Sequence, residues 1–298
     1  MNDGSDWLKQ GEGRRPHLSW SLKTEAPLVG LQFAKETGET LAADAAGGLY
    51  QLDRKGEIIS VKHGPAGIRA IAWSDTGNGG IALVGDEKLY WFNRKLLPQG
   101  WIEHSELALA LALEAHGYCA AVSLADGSTI FYDSDRKRVR RITTPVALVA
   151  LAFLDSRPAL VGVAEQGVMC CYAWTGEQEW KQQLWASVGD LAVTGDGETI
   201  LLASYSQGIQ CHQGGGSLVG SYQLDGTVAH VSTSYRPGHI AATTVERQFF
   251  YLSADGQIEF QSPLPDDVIR VICDPRGKGV LLGLAAGRVV RLDWGAEN

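Results

Sequence analysis

The sequence predicts an all-β fold, a seven-bladed β-propeller whose blades are four-stranded antiparallel sheets. Three observations predict it: a repeat with a constant period, short apolar runs separated by glycine-rich turns, and an N-terminal strand that supplies what the last repeat lacks. The plainest copy of the repeat is Leu151–Trp180, which reads LAFLDSRPALVGVAEQGVMCCYAWTGEQEW. It contains four short runs and three polar turns, the pattern of an antiparallel meander. Such a sheet cannot bury both faces alone, so the copies must pack on one another.

The repeat recurs seven times without an insertion. The first apolar runs begin at positions 31, 71, 111, 151, 191, 231 and 271, so every step is 40 residues. Glycine supplies 36 of the 298 residues, roughly 12% against a typical ~7%, which indicates many tight turns. A segment such as Leu107–Leu113 (LALALAL) has helical propensity, but its phase in the repeat predicts a strand.

The ends of the chain complement each other. The seventh repeat, Val268–Trp294, contains only three strands, and His17–Leu22 precedes the first repeat with the pattern of a fourth strand. We therefore expect the N-terminal strand to complete the last blade and close the ring. The expected organisation is a flexible N-terminal arm over residues 1–16, one propeller domain over residues 17–294, and a tail over residues 295–298. The blades begin near positions 28, 68, 108, 148, 188, 228 and 268.

Composition limits the possible classes of function. The net charge of −8 disfavours general nucleic-acid binding, which depends on neutralising phosphates. The N-terminus lacks the apolar segment of a secretion signal, and no run of about 18 apolar residues predicts a transmembrane segment. Five cysteines, an odd number lying in apolar runs, predict reduced and buried thiols in the cytoplasm. We find no cysteine and histidine spacing of a metal site and expect no cofactor.

Two segments carry a resemblance to known families. They are Tyr172–Glu177 followed by Trp180, and Gly48–Asp53 followed by Lys55-Gly56-Glu57. Both resemble the strand-turn-strand pattern of PQQ-type repeats, so the chain is similar to the broad family of WD40-like and quinoprotein-like propellers. The Gly-His and Trp-Asp hallmarks of WD40 repeats are absent, and no residues match the metal-binding acidic site of quinoproteins. The resemblance therefore implies the propeller without its cofactor site.

One cluster emerges when the blades are superposed. The residue before each first-strand anchor is small in four blades, and in three consecutive blades it is Asp190, His230 and Arg270. Equivalent positions of neighbouring innermost strands meet near the central channel. The favoured interpretation is an ion pair that bridges blades five to seven. The alternative is a channel site for a small anion or for acid–base chemistry.

Two surface features are candidates for binding a partner. A basic run enters the fourth strand of blade three, with the residues Arg136, Lys137, Arg138, Arg140 and Arg141. It either protects a sheet edge from pairing or forms a docking patch, for which an acidic protein is the best partner, ahead of a membrane surface or nucleic acid. Trp185 lies between blades four and five and is expected to be partly exposed, as an interaction hot spot.

These observations favour a non-enzymatic scaffold for protein–protein interactions, a subunit of a larger cytoplasmic assembly. Short loops and the lack of a recognisable catalytic motif support this interpretation. Two alternatives are a small-ligand sensor that uses the channel and, less favoured, a lactonase-like or lyase-like propeller enzyme. The sequence leaves the partner's identity and the oligomeric state open.

Overall fold

Each 40-residue repeat folds into one antiparallel sheet in the computed structural model, which describes residues 6–236 and 238–295. The innermost strands of blades one to seven are Leu28–Phe33, Ile68–Trp73, Ala108–Leu113, Leu148–Phe153, Val188–Val193, Val228–Thr233 and Val268–Cys273. The second strands are Thr40–Asp44, Gly79–Val84, Cys119–Leu124, Ala159–Ala164, Thr199–Ser204, His239–Thr244 and Gly279–Leu284. The third strands are Gly48–Leu52, Lys88–Asn93, Ser128–Asp133, Val168–Ala173, Gly208–Gln213, Gln248–Ser253 and Arg288–Asp293. The outermost strands are Ile58–His63, Pro98–Glu103, Arg138–Thr143, Gln178–Gln183, Leu218–Tyr222, Ile258–Pro263 and, for blade seven, His17–Lys23.

Burial explains the composition of the strands. Every residue of the second strands Ala159–Ala164 and Gly279–Leu284 is buried, because these strands pack against neighbouring blades on both faces. Strands buried on both faces have nearly continuous apolar runs rather than alternation. Outermost strands such as Gln178–Gln183 are largely exposed and polar. The predicted strand in the LALALAL segment is confirmed as Ala108–Leu113.

The ring closes as the sequence predicts. His17–Lys23 pairs antiparallel with Arg288–Asp293, so blade seven takes its outermost strand from the N-terminus and the other three strands from the C-terminus. The innermost strand of blade seven also contacts that of blade one. Joining the two ends in one sheet leaves neither terminal blade incomplete.

The N-terminal arm differs from the flexible segment that the sequence predicts over residues 1–16. Asp6–Gln10 forms a 3-10 helix, and Glu12–Gly13 pairs with Ile258–Pro263 as a fifth strand on blade six. Trp7 and Leu8 of this helix are buried. Residues 1–5 and positions 296–298 of the predicted tail lie outside the described residues.

Apolar burial explains why the arm is docked. Trp7 and Leu8 join a core cluster that contains Phe249, Phe260 and Trp294. The Ser262 hydroxyl donates a hydrogen bond to the Trp7 carbonyl (2.9 Å), and the Trp294 indole N–H donates to the carbonyl of residue 14 (2.8 Å). Burying a Trp and a Leu stabilises the docked arm by several kcal/mol before chain entropy is counted.

The ring has two faces. We letter the strands of each blade A to D from the innermost to the outermost, and we name each face by the strands that its loops connect. The DA face carries the loops from each outermost strand to the next blade and the turns between second and third strands. The AB face carries the loops between first and second strands and those between third and fourth strands. Within residues 6–236 and 238–295, no helix is long and apolar enough to cross a membrane.

Candidate functional site

A β-bulge precedes the three polar residues that the sequence predicts to meet. The register shifts between Val188 and Asp190, and the same shift occurs immediately before His230 and Arg270. All seven innermost strands have a bulge at this position. A bulge changes the direction in which the next side chain points. The repeat therefore presents the residue at this position in the same way in every blade.

The structure brings Asp190, His230 and Arg270 together. The Arg270 Nη1 atom lies 2.9 Å from Asp190 Oδ1, which makes an ion pair between blades five and seven. His230 Nδ1 lies 3.7 Å from Asp190 Oδ2, beyond hydrogen-bond distance, while His230 Nε2 lies 3.0 Å from the Val268 carbonyl. Because a carbonyl can only accept, Nε2 carries a proton in this arrangement. Asp190 also accepts the backbone N–H groups of Leu191 (2.9 Å) and residue 231 (3.3 Å).

These contacts keep Asp190 ionised. Burial raises the pKa of the Asp190 carboxyl, but Arg270, His230 and the Leu191 N–H lower it by more, to about 2. Asp190 is only 4% exposed, whereas Arg270 is partly open to the channel. The Arg270 Nε atom is buried and has no hydrogen-bond partner among the described residues. This cluster has the geometry of the expected ion pair across blades.

A second polar cluster, which was not predicted from the sequence, lies at the AB end of the channel. Lys35 Nζ lies 3.1 Å from Asp75 Oδ2 and 3.0 Å from Asp155 Oδ2, so one ammonium joins blades one, two and four. The three residues occupy the same position of the repeat, five residues after the bulge position. Superposing the blades at this second position would have identified the cluster.

The charges of the second cluster are imperfectly balanced. Burial lowers the pKa of Lys35, but Asp75 and Asp155 raise it by more, so the ammonium stays charged. Burial raises the pKa of Asp75 and Asp155 raises it further, while Lys35 lowers it, and the net direction is upward. Two carboxylates thus share one cation here, whereas Asp190 has an arginine to itself.

The channel between the innermost strands holds a cavity of about 220 Å³. All seven blades line it, and its polar wall includes Lys35, Asp75, Asp155 and Arg270. Within the described ranges, we find no group of three or more His, Cys, Asp or Glu side chains placed to hold a metal ion. The five cysteines are all free, and four of them are buried.

The basic run of blade three does not form one uniform patch. Arg136, Arg138 and Arg141 line a groove of about 370 Å³ with residues of blade two, whereas the Arg140 side chain passes beside Gly176 of blade four. Arg141 pairs with Asp126 at 2.7 Å. The bulge opposite Phe131 and Tyr132 accounts for this division, because it separates Arg138 from Arg140 by one extra residue.

Trp185 projects from the DA face and is 89% exposed. Its neighbours Leu184 and Ala186 are both buried, so the backbone cannot turn the indole inward without exposing them. Three backbone hydrogen bonds hold the two ends of this loop, and at the first end the Leu184 N–H donates to the carbonyl of residue 167 (3.2 Å). The Val188 N–H donates to the carbonyl of residue 165 (2.8 Å), and the Tyr205 N–H donates to the carbonyl of residue 187 (3.0 Å). The indole is therefore presented on a fixed backbone.

The two surface features that the sequence predicts as docking candidates, the basic run and Trp185, lie on different parts of the ring. Trp185 lies in a DA loop, while Arg136 and Lys137 lie in the turn between the third and fourth strands of blade three, on the AB face. The basic strand Arg138–Thr143 runs between these faces along the outer rim. The two features therefore belong to separate surfaces.

The faces also differ in charge, a difference that was not predicted from the sequence. The DA loops contain one basic residue, Arg247, and ten acidic residues: Glu25, Asp86, Glu87, Glu106, Asp126, Glu165, Asp225, Glu246, Asp266 and Asp267. The AB loops contain eleven basic residues: Lys35, Arg54, Lys55, Arg94, Lys95, Arg136, Lys137, Arg157, Arg236, Arg276 and Lys278. They contain thirteen acidic residues: Glu36, Glu39, Asp53, Glu57, Asp75, Glu114, Asp135, Asp155, Glu177, Asp196, Glu198, Asp255 and Asp274. The acidic excess of the loops is thus concentrated on the DA face.

Comparison with known proteins supports the fold. The chain matches no protein-family model and no curated protein sequence. Among solved structures, it is similar to the crystal structure of the Myceliophteria thermophila Cps50 (Swd1) β-propeller domain, with a TM-score of 0.79 and 14% sequence identity. The match covers 93% of this chain and 99% of that one. The fold is a WD40-like, seven-bladed β-propeller. At this identity, the similarity shows the fold alone.

Proposed function

We propose that this protein is a non-enzymatic scaffold for protein–protein interactions and a subunit of a larger cytoplasmic assembly. The observation that carries the proposal is Trp185, a large aromatic side chain that is 89% exposed on a fixed loop. Tryptophan is enriched among the residues that dominate binding energy, and removing such a residue typically costs about 2 kcal/mol or more of binding. A partner that covers the indole removes a large apolar surface from water with little loss of loop entropy.

The shape of the two faces suits a protein partner. The loops that join the strands are three to five residues long on the DA face and four to six residues long on the AB face. Loops of this length leave broad surfaces and build no deep pocket around a small substrate. Binding energy on such surfaces comes from a few projecting side chains, for which Trp185 qualifies.

The basic rim supplies a second proposed docking surface, for an acidic partner. Arg138 and Arg140 are exposed on the outermost strand of blade three, and Lys137 is exposed beside them. Lys137 forms only a long ion pair with Asp135 (3.8 Å), in which both side chains are exposed and the attraction is weak. These cations are therefore available to the carboxylates of a partner.

A cytoplasmic location is consistent with the thiols. Burial raises the pKa of Cys119, Cys170 and Cys171 to about 12, which suppresses the reactive thiolate at neutral pH. Buried, unpaired cysteines of this kind are ordinary in reducing compartments. We therefore propose that the assembly is cytoplasmic.

A second candidate function is a small-ligand sensor, favoured by Arg270. Its buried Nε lacks a hydrogen-bond partner among the described residues, and its side chain lines the 220 Å³ cavity of the channel. A carboxylate or phosphate oxygen would satisfy this donor. A rise in Tm with millimolar acetate or inorganic phosphate that is absent in Arg270→Met supports a sensor. An equal response of both proteins excludes it.

The scaffold proposal is tested by purifying the tagged, full-length protein at low salt from the cells that produce it. We expect a stoichiometric protein partner that is lost from Trp185→Ala and retained by Trp101→Ala. Trp101 is a matched control, because it is 49% exposed but lies on the outer rim of blade two. A monomeric protein without any stoichiometric partner contradicts the proposal.

A further inference from the structure

We propose that the DA face binds a basic, Lys- and Arg-rich segment of the partner protein, with Trp185 as its anchor. This inference rests on the proposed function, because it names the chemistry of the segment that a scaffold would bind at this face. Three features of the DA face carry it: its unbalanced charge, an acidic groove beside blade six, and exposed aromatic rings on loops of which one is hydrogen-bonded to the Glu165 turn.

The charge of the DA loops is unbalanced even after the ion pairs are counted. Their only cation, Arg247, is already paired with Asp267 at 2.7 Å. Asp86 and Asp126 are paired with arginines of nearby strands. The seven others have no ion-pair partner among the described residues: Glu25, Glu87, Glu106, Glu165, Asp225, Glu246 and Asp266. A partner with complementary positive charge would neutralise them and associate faster at low salt.

An acidic groove adjoins this face between blades five and six. It has a volume of about 410 Å³, and its charged lining consists of Glu12, Asp225 and Glu246, with no basic side chain. Glu12 is supplied by the N-terminal arm, whose docking on blade six thus completes the groove. The Thr227 N–H donates to Glu246 (2.7 Å) and lowers its pKa, so this carboxylate is charged at neutral pH. The groove can accept the cationic end of an extended Lys or Arg side chain.

Two exposed aromatic rings lie on the side of blade five that faces away from the acidic groove. Trp185 and Tyr205 are both exposed, and a backbone hydrogen bond joins their two loops. The Glu165 turn is bonded to the Trp185 loop from blade four. Tryptophan is the aromatic ring that binds cations best over its face, and arginine pairs with a carboxylate while it stacks. An Arg side chain therefore matches this combination better than an apolar or acidic one.

Anionic partners are disfavoured at this face. Nucleic acids and anionic lipid surfaces would meet seven carboxylates without an ion-pair partner among the described residues. The arginines at this face, Arg69, Arg141 and Arg247, are already paired with carboxylates, and the exposed Lys23 ammonium donates to the Ala286 carbonyl. A small polycation would neutralise the charge but would leave the Trp185 indole uncovered. A basic polypeptide satisfies both the charge and the apolar ring.

The test is fluorescence anisotropy of the full-length protein with a labelled 15-residue peptide that alternates Arg and Lys with Ala and Gly. We expect binding that weakens at least tenfold from 50 to 200 mM NaCl. Trp185→Ala should weaken it about tenfold, and Glu165→Gln with Glu246→Gln should weaken it and reduce its salt dependence. Trp101→Ala and Arg138→Gln should bind like the unchanged protein. Circular dichroism of each variant confirms that the ring is folded.

The outcomes separate this inference from the proposed function. If the basic peptide binds equally to all variants, or if a matched Glu-rich peptide binds instead, the basic-partner inference is overturned. If a native partner is lost with Trp185→Ala but contains no basic segment at the contact, the scaffold stands and the inference falls. If the peptide binds as expected while no native partner exists, the face is basic-specific and the scaffold proposal falls.

Discussion

The channel and the DA face differ in whether their charged and aromatic side chains have partners within the protein. In the channel, charged side chains find partners within the protein: Arg270 pairs with Asp190, and Lys35 pairs with Asp75 and Asp155. On the DA face, Trp185 and most of the carboxylates have no such partner among the described residues. The difference indicates that the channel clusters hold the blades in register, whereas the DA face is available for another molecule. Mutations in the two regions should therefore separate stability from binding.

The largest expected effect is on stability, from Asp190→Ala. Removing one partner of a buried pair leaves the other charge uncompensated, which typically costs 3–5 kcal/mol. Because Arg270 is partly open to the channel, we expect a loss of about 3 kcal/mol in the free energy of unfolding. Urea unfolding measures it, with Asp225→Ala as the control in an exposed loop. A loss below about 0.5 kcal/mol would contradict the bridging role.

The second prediction concerns pH and the same carboxylate. The folded-state pKa of Asp190, about 2, lies below the unfolded value of about 3.9. The contribution of ionised Asp190 to the free energy of unfolding is therefore complete above about pH 4 and disappears as pH falls through about 2. The shift corresponds to about 2 kcal/mol of stability. The unfolding free energy of the unchanged protein should decrease over this interval by more than that of Asp190→Ala. Parallel pH profiles would be inconsistent with an ionised, paired Asp190.

A smaller effect is expected from Lys35→Met at the AB end of the channel. This change leaves Asp75 facing Asp155 without a cation, and we expect a loss of about 1 kcal/mol at pH 7, since water in the channel screens the charges. The sign of the pH dependence is opposite to that at Asp190. Because the pKa of Asp75 is raised in the folded state, its contribution favours the folded state at low pH and is lost as pH rises through the folded pKa. Protonation of Asp75 removes both its attraction to Lys35 and its repulsion from Asp155, so the cost of Lys35→Met should shrink on acidification. A constant cost from pH 4 to pH 7 would argue against the shared cation.

The smallest expected effect on stability comes from Trp185→Ala. The indole is 89% exposed, so its removal should change the free energy of unfolding by less than about 0.5 kcal/mol. Thermal unfolding of the variant beside the unchanged protein measures this. A substantial decrease in Tm would show that Trp185 has a structural role and would weaken the contrast between the two regions.

The repeat made most of the fold predictable. A constant period fixes which apolar runs are equivalent, so it predicts the strands, the number of blades and the pairing of His17–Leu22 with the last blade, which the structure shows as His17–Lys23. The arm that contains Trp7 was not predictable in the same way, because it lies outside the repeat and its binding surface on blade six is formed only after folding. Its apolar side chains were visible, but the pattern did not show what they would contact.

The candidate site likewise contains residues that the repeat made predictable and features that it did not. Asp190, His230 and Arg270 were predictable because equivalent positions of a closed ring lie close together. Lys35 and its carboxylates follow from the same superposition five residues later, where the sequence contained the signal. The acidic DA face required an assignment of every loop to one side of the ring. Separating Trp185 from Arg136 required the same assignment, which a linear reading of neighbouring blades does not provide.

Protection of Trp185 in the native assembly tests the central claim most directly. Hydroxyl-radical footprinting with mass spectrometry measures the oxidation of each tryptophan in the free protein and in the purified assembly. If Trp185 anchors a partner, its oxidation should fall several-fold in the assembly, whereas oxidation of Trp101 on the outer rim should change little. Equal oxidation of Trp185 in the free and assembled protein would contradict docking at the DA face.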